Sequence, residues 1–225
     1  MAPKLPRTPD RNLLRRIGAA TVTVPANTLI SRVYMRGGSH PTTWGSWRYF
    51  GPLKSSRFDH HLLDDKGMPS LQDRGIAYGA VAAGNGGTDG ALACCLAEVY
   101  QKNRSIDPHE NQPWWAVFWL AADLLLLDLR GAWPTRAGAS QAINSGARSS
   151  TRAWAHAFYE EYPDIHGLIY PSSMCGGIDA VALNDRARGI GAIPAHAHHN
   201  YALSDPKLSR MLRKAARKIG YTLLH

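Results

Sequence analysis

At 225 residues, 44% of them hydrophobic and 19% charged, the chain has the make-up of one folded domain with a substantial core, which argues against global disorder. Its 26 Lys and Arg against 17 Asp and Glu give a formal net charge of +9, a field that attracts nucleic acid, an acidic protein or an anionic dinucleotide without dictating a fold. Three cysteines, Cys94, Cys95 and Cys175, have no metal-ligand spacing and leave an odd thiol over, so the expected setting is reducing and cytoplasmic, with no metal.

Residues 1–28 mix Pro, Arg and Ala and read as an N-terminal arm with at most a short helix; no apolar run of the signal-peptide kind occurs there. Leu29–Met35 alternates as a strand. Residues 36–73 are rich in Gly, Pro, Ser and His and are expected to be mostly loop, at a length that usually carries function. Residues 76–83 read as a short buried strand. The glycine-rich stretch 84–90 lacks the Gly-Lys-Ser/Thr ending of a P-loop and the spacing of a dinucleotide fingerprint. Thr88 or Asp89 is placed to cap a helix reaching Tyr100, with Leu92, Cys95, Leu96 and Val99 on its apolar face. Residues 116–129 read as one strand, and the apolar run 114–127, broken by Asp123, is too short to span a bilayer. Ser149-Ser150-Thr151 offers an N-cap for a helix to about Glu161. Two strands, 167–170 and 180–183, flank a turn. Residues 206–220 form a basic helix with Leu208, Met211, Leu212, Ala215 and Ile219 on one side. Strands and helices without regular alternation point to an α+β fold.

Five polar residues stand in short apolar frames: Arg32, Arg57, Tyr78, Glu98 and Ser172. Burying such groups is costly unless something pairs with them, so five together suggest one shared site. An arginine in the strand at Arg32 needs an anion, either a ligand or an internal carboxylate. Arg57 has Arg36, Arg48 and Arg74 as alternatives. Tyr78 reads as a core tyrosine or as a platform for a flat ring, with Tyr34 and Tyr49 as lesser candidates. Glu98 is a lone carboxylate on an apolar helix, or an exposed one if the helix is turned. No His-Asp partnership makes Ser172 a nucleophile, so it reads as an orienting hydroxyl or a turn serine, with Ser173 adjacent. His196, His198 and His199 lack an accompanying Cys or carboxylate set and read as solvated loop.

The order Arg32, Arg57, Tyr78, Glu98, Ser172 resembles the RES domain, a bacterial toxin family named for its Arg, Glu and Ser, over residues 32 to 183. The resemblance implies a single domain with an ADP-ribosyltransferase-like split β-sheet and flanking helices, comprising a catalytic region 29–204 and a basic C-terminal helix 205–225. It implies NAD as substrate and cleavage of the nicotinamide–ribose bond by water or phosphate, with ADP-ribosylation of a protein as the alternative. Arg32 and Arg57 would hold the diphosphate, Tyr78 would pack on the nicotinamide, Ser172 would orient the ribose and Glu98 would support the cationic sugar. A helix-turn-helix antitoxin or another inhibitor is the implied partner. The long loop 36–73 and the tail beyond Leu183 depart from the compact pattern, which leaves the partner surface and oligomeric state open. The rival reading is a basic nucleic-acid-binding module without activity, with the tail as its contact; it gives Glu98 and Ser172 no task.

Overall fold

The computed structural model describes residues 5–83 and 87–224, so part of the glycine-rich stretch, residues 84–86, lies outside the described residues. Six α-helices are described: α1 (Arg11–Ile17), α2 (Gly87–Val99), α3 (Trp133–Arg136), α4 (Arg148–Glu161), α5 (Asp185–Gly189) and α6 (Ser209–Ile219). The strands are β1 (Thr21–Val24), β2 (Leu29–Met35), β3 (Arg48–Gly51), β4 (Ser70–Val81), β5 (Ser105–Ile106), β6 (Pro113–Trp119), β7 (Leu124–Asp128), β8 (Gly167–Pro171), β9 (Asp179–Asn184), β10 (His199–Ala202) and β11 (Thr222–Leu223). The class is α+β, with one large mixed sheet in the order β1-β7-β8-β9-β4-β2-β6-β10 and β3 paired to β4.

Two halves of that sheet meet at a narrow seam. β2 pairs with β4 only at Ile30↔Val81 and Ser31↔Ala80, whereas β2 pairs with β6 along its full seven residues. Beyond the seam β2 stays with β6 while β4 turns to β3 and β9. Gly79 permits the approach: a Cβ there would come within 2.6 Å of Ile30 Cγ2 and 3.1 Å of the Ser31 carbonyl. On one face of the sheet, α2 and α6 cover the β2–β6 half, through Leu92, Leu96, Leu212, Trp115 and Val117. On the same face α4 covers the β7–β8–β9 half, through Trp154, Phe158, Leu127, Leu168 and Tyr170. The opposite face carries Ile30, Phe118, Leu126, Ile169 and Val181, with Trp44 and Trp47 packed on them.

Several sequence expectations are corrected here. The N-terminal segment, expected as an arm with at most a short helix, also carries a strand and packs on the domain: Leu14 is fully buried, β1 pairs with β7, and Trp154 donates its indole N–H to the Pro6 carbonyl at 2.9 Å. Residues 116–129 are not one strand. They split into β6 and β7 at a turn where Asp123 Oδ1 accepts the Ala26 N–H at 2.7 Å, an interaction 97 residues apart that no local pattern encodes. Neither Thr88 nor Asp89 is an N-cap, since α2 already starts at Gly87. Ser149 to Thr151 lie inside α4, whose N-cap is Ala147 with no side-chain cap. α2 lacks a single apolar face: residues 90–97 are all buried, and Val99, expected inside, is exposed.

The C-terminal helix docks as its apolar stripe predicts. Leu208, Leu212, Ala215 and Ala216 are buried against α2, and the Tyr221 hydroxyl donates to the Ala97 carbonyl at 3.3 Å. Lys214 pairs with Asp89 at 2.6 Å, further tying α6 to α2.

Candidate active site

α2 leads from the seam region to Glu98, and β8 ends in the turn that presents Ser172. The Ser172 hydroxyl donates to Glu98 Oε1 at 2.6 Å across 74 residues. Ser172 Oγ also accepts the backbone N–H groups of Met174 at 3.2 Å and Cys175 at 3.1 Å. A hydroxyl with two donors behind it and one carboxylate ahead has a fixed rotor, so it holds the carboxylate in one orientation. Ser172 is buried while Ser173 is exposed, which separates the two candidates. Glu98 is half-buried, at the boundary between the buried body of α2 and solvent.

Arg57 and Tyr78 join this pair. Tyr78 donates its hydroxyl to the Arg57 carbonyl at 2.9 Å, and burial pushes that phenol well up. Arg57 Nη1 donates to the Gly146 carbonyl at 2.8 Å. Burial lowers the Arg57 pKa, the positive charge of Arg148 lowers it further, and the Glu98 charge opposes both, which sets the three groups in one electrostatic neighbourhood. The alternatives to Arg57 are otherwise engaged: Arg36 stacks on Trp114 at 4.5 Å, Arg48 pairs with buried Asp59 at 2.7 Å, and Arg74 pairs with Glu160 at 3.1 Å. Tyr34 donates its hydroxyl to Asn200, and Tyr49 accepts from Arg188.

Arg32 stands apart. Its guanidinium donates from Nη1 to the Trp44 carbonyl at 2.8 Å and the Ser46 carbonyl at 2.9 Å. Among the described residues it has no carboxylate partner, so the expected internal ion pair is absent, and burial lowers its pKa to about 10. The side chains before and after it point the other way: Ser31 receives Cys95 and Trp115 from the α2 side. Alternation along β2 therefore carries Arg32 to the side away from α2. The structure brings together Arg57, Tyr78, Glu98 and Ser172 and leaves Arg32 beside the β2 seam, next to the Trp44–Ser46 loop.

Three participants had no sequence signal. Tyr170, buried against Phe58 with ring centroids 4.6 Å apart, has its phenol pushed up by burial and then by the Glu98 charge. Gln101 donates Nε2 to the Glu98 carbonyl at 2.7 Å, and its Oε1 accepts from Arg148. Gln101 lies just beyond the end of α2, Arg148 opens α4 and Tyr170 stands in β8, positions that no local pattern marks out. Cys94 and Cys175 lie in one buried cluster, and their mutual interaction pushes the Cys94 thiol up and that of Cys175 down. Among the described residues no group of His, Cys, Asp and Glu could hold a metal ion, and no helix is long and apolar enough to cross a membrane. A surface groove of about 240 Å³, lined by residues including His109, Trp114 and Ser204, lies on the β6–β10 side, and none of the four gathered residues lines it.

No family model matches the sequence, and no curated protein does. Among solved structures, the fold is similar to that of a chain in the crystal structure of the M. tuberculosis MbcT-MbcA toxin-antitoxin complex, at 18% identity and a TM-score of 0.55. The likeness covers 91% of this chain and 98% of that one. It is a likeness of fold.

Proposed function

We propose that this chain is the toxin of a toxin–antitoxin pair and that it cleaves the nicotinamide–ribose bond of NAD. The observation that carries the reading is the 2.6 Å Ser172–Glu98 hydrogen bond, which fixes a carboxylate whose charge is felt by Arg57 and Tyr170, in a fold like that of the toxin–antitoxin structure. A fixed anion aimed at a sugar that gains positive charge stabilises the transition state more than the ground state, and such preorganised electrostatics is usually the largest catalytic contribution. In this reading Glu98 faces the anomeric carbon, Ser172 sets the carboxylate and the ribose, Tyr78 packs on the nicotinamide ring, and Arg57 supplies positive charge for the diphosphate. Arg32 shapes the seam end of the site from the far side of β2. Water as acceptor makes the chain a glycohydrolase, phosphate a phosphorolase, and a protein side chain an ADP-ribosyltransferase; the split sheet at the seam fits an ADP-ribosyltransferase-like fold.

Its partner is an antitoxin, of helix-turn-helix or other architecture, that covers the site. The test is release of free nicotinamide from NAD by the purified protein, read with and without inorganic phosphate. No release, with NAD intact after prolonged incubation, overturns the reading. The nucleic-acid reading has its own observation, the exposed Arg210, Arg213, Lys214, Arg217 and Lys218 on α6. It predicts salt-sensitive binding to nucleic acid and no turnover.

A further inference from the structure

Two arginines meet beside Glu98 without a carboxylate partner of their own. Arg57 is held by the Gly146 carbonyl. Two residues further on, Arg148 opens α4 and donates Nη2 to Gln101 Oε1, the same glutamine that grips the Glu98 carbonyl. Arg148 Nε is buried with no hydrogen-bond partner, and neither arginine lies within ion-pair distance of a carboxylate among the described residues. Glu98 offsets part of this charge, and a single carboxylate leaves the two guanidinium groups with a net positive charge. A buried N–H without an acceptor is costly, as are like charges held close together. An anion with several acceptor oxygens relieves both.

We propose that Arg57 and Arg148 form a clamp for a diphosphate, with Arg148 taking the place that the resemblance gives to Arg32. Planar guanidinium forks match phosphate oxygens in pairs, which an ammonium cannot do. The clamp sits where a dinucleotide needs it. A ribose whose anomeric carbon faces Glu98 carries its phosphate on the 5′ carbon, and Arg148 is joined through Gln101 to the backbone carbonyl of the same Glu98. Arg32, its Nη1 already on two carbonyls and on the side of β2 away from α2, is poorly placed for the same anion. This assignment of the ligand to a dinucleotide rests on the NAD reading; the anion clamp itself does not.

The experiment measures binding of inorganic pyrophosphate and of NAD by calorimetry, together with KM and kcat for nicotinamide release. Wild type is compared with Arg148→Gln, Arg148→Lys and the surface control Arg210→Gln. Arg148→Gln is expected to weaken pyrophosphate binding at least tenfold and to raise KM for NAD at least tenfold with a smaller effect on kcat, a pattern a merely structural residue would not give. Arg148→Lys should lose several-fold, and Arg210→Gln should bind pyrophosphate as wild type does. Where Arg148→Gln does not fold, Arg148→Lys decides alone, and unchanged affinity overturns the clamp. Undetectable pyrophosphate binding by wild type, or equal losses in Arg148→Gln and Arg210→Gln, also overturns it. Pyrophosphate binding through Arg148 in a protein that releases no nicotinamide would refute the NAD reading and leave the clamp standing.

Discussion

Ser172→Ala removes one oxygen on which three interactions converge. The hydroxyl donates to a carboxylate at 2.6 Å and accepts two backbone N–H groups, those of Met174 and buried Cys175, at 3.2 and 3.1 Å. A hydrogen bond to a charged group contributes about 1.5–3 kcal/mol net, and a buried N–H left without an acceptor costs about 1–3 kcal/mol. Relaxation and water will satisfy part of this, so a net loss of about 3 kcal/mol is expected. In a domain of this size that corresponds to a fall of roughly 6–12 °C in melting temperature. Differential scanning calorimetry on Ser172→Ala and Ser173→Ala reads it directly, since the exposed Ser173 should shift by no more than about 0.5 kcal/mol. A double-mutant cycle with Glu98→Ala should show a coupling above about 1 kcal/mol between the two side chains. If Ser172→Ala melts with the wild type, or the cycle is additive, the Ser172–Glu98 bond is not what fixes the site.

Glu98→Gln keeps an acceptor for Ser172 but loses the charge, so nicotinamide release should drop by roughly two orders of magnitude with little change in melting temperature; equal turnover in the folded variant would remove Glu98 from the mechanism. Burial holds the His60 imidazole down to about 3, below its unfolded value of about 6.5, so the unfolded chain takes a proton that the folded chain refuses and stability falls as pH drops from about 6.5 towards 3. At pH 5 that loss is about 2 kcal/mol, and urea midpoints at pH 7.5 and 5 should show it in wild type and not in His60→Phe; identical pH dependence in the two would contradict it. Leu212→Ala, at the α6–α2 contact, should cost about 2–5 kcal/mol in a denaturant titration. For the same reason deletion of residues 205–225 should yield an unfolded or aggregated protein by circular dichroism, whereas a folded, active truncation would make α6 a separable tail.

Local periodicity made much of the secondary structure legible in the sequence. The alternation of Leu29–Met35 is β2, the stripe from Leu208 to Ile219 is the buried side of α6, and the lone Glu98 at the end of an apolar run is a carboxylate at the end of a buried helix. Such signals depend on side chains two to four residues apart, which secondary structure places on a common face. Only the tertiary structure decided which polar groups meet. The break between β6 and β7, the incorporation of β1, the two-pair seam beside Gly79 and the 74-residue contact between Ser172 and Glu98 are set by hydrogen bonds between distant segments, and no local pattern records them. The arginines make the point most sharply. The sequence singles out Arg32 and Arg57 and passes over Arg148, and the roles are settled only when folding gives Arg48 a buried carboxylate, Arg32 two carbonyls and Arg148 a glutamine with one N–H left over. The charge of a guanidinium is written in the chain, whereas its partner is chosen by burial, where an anion or a carbonyl must replace the water that folding removes.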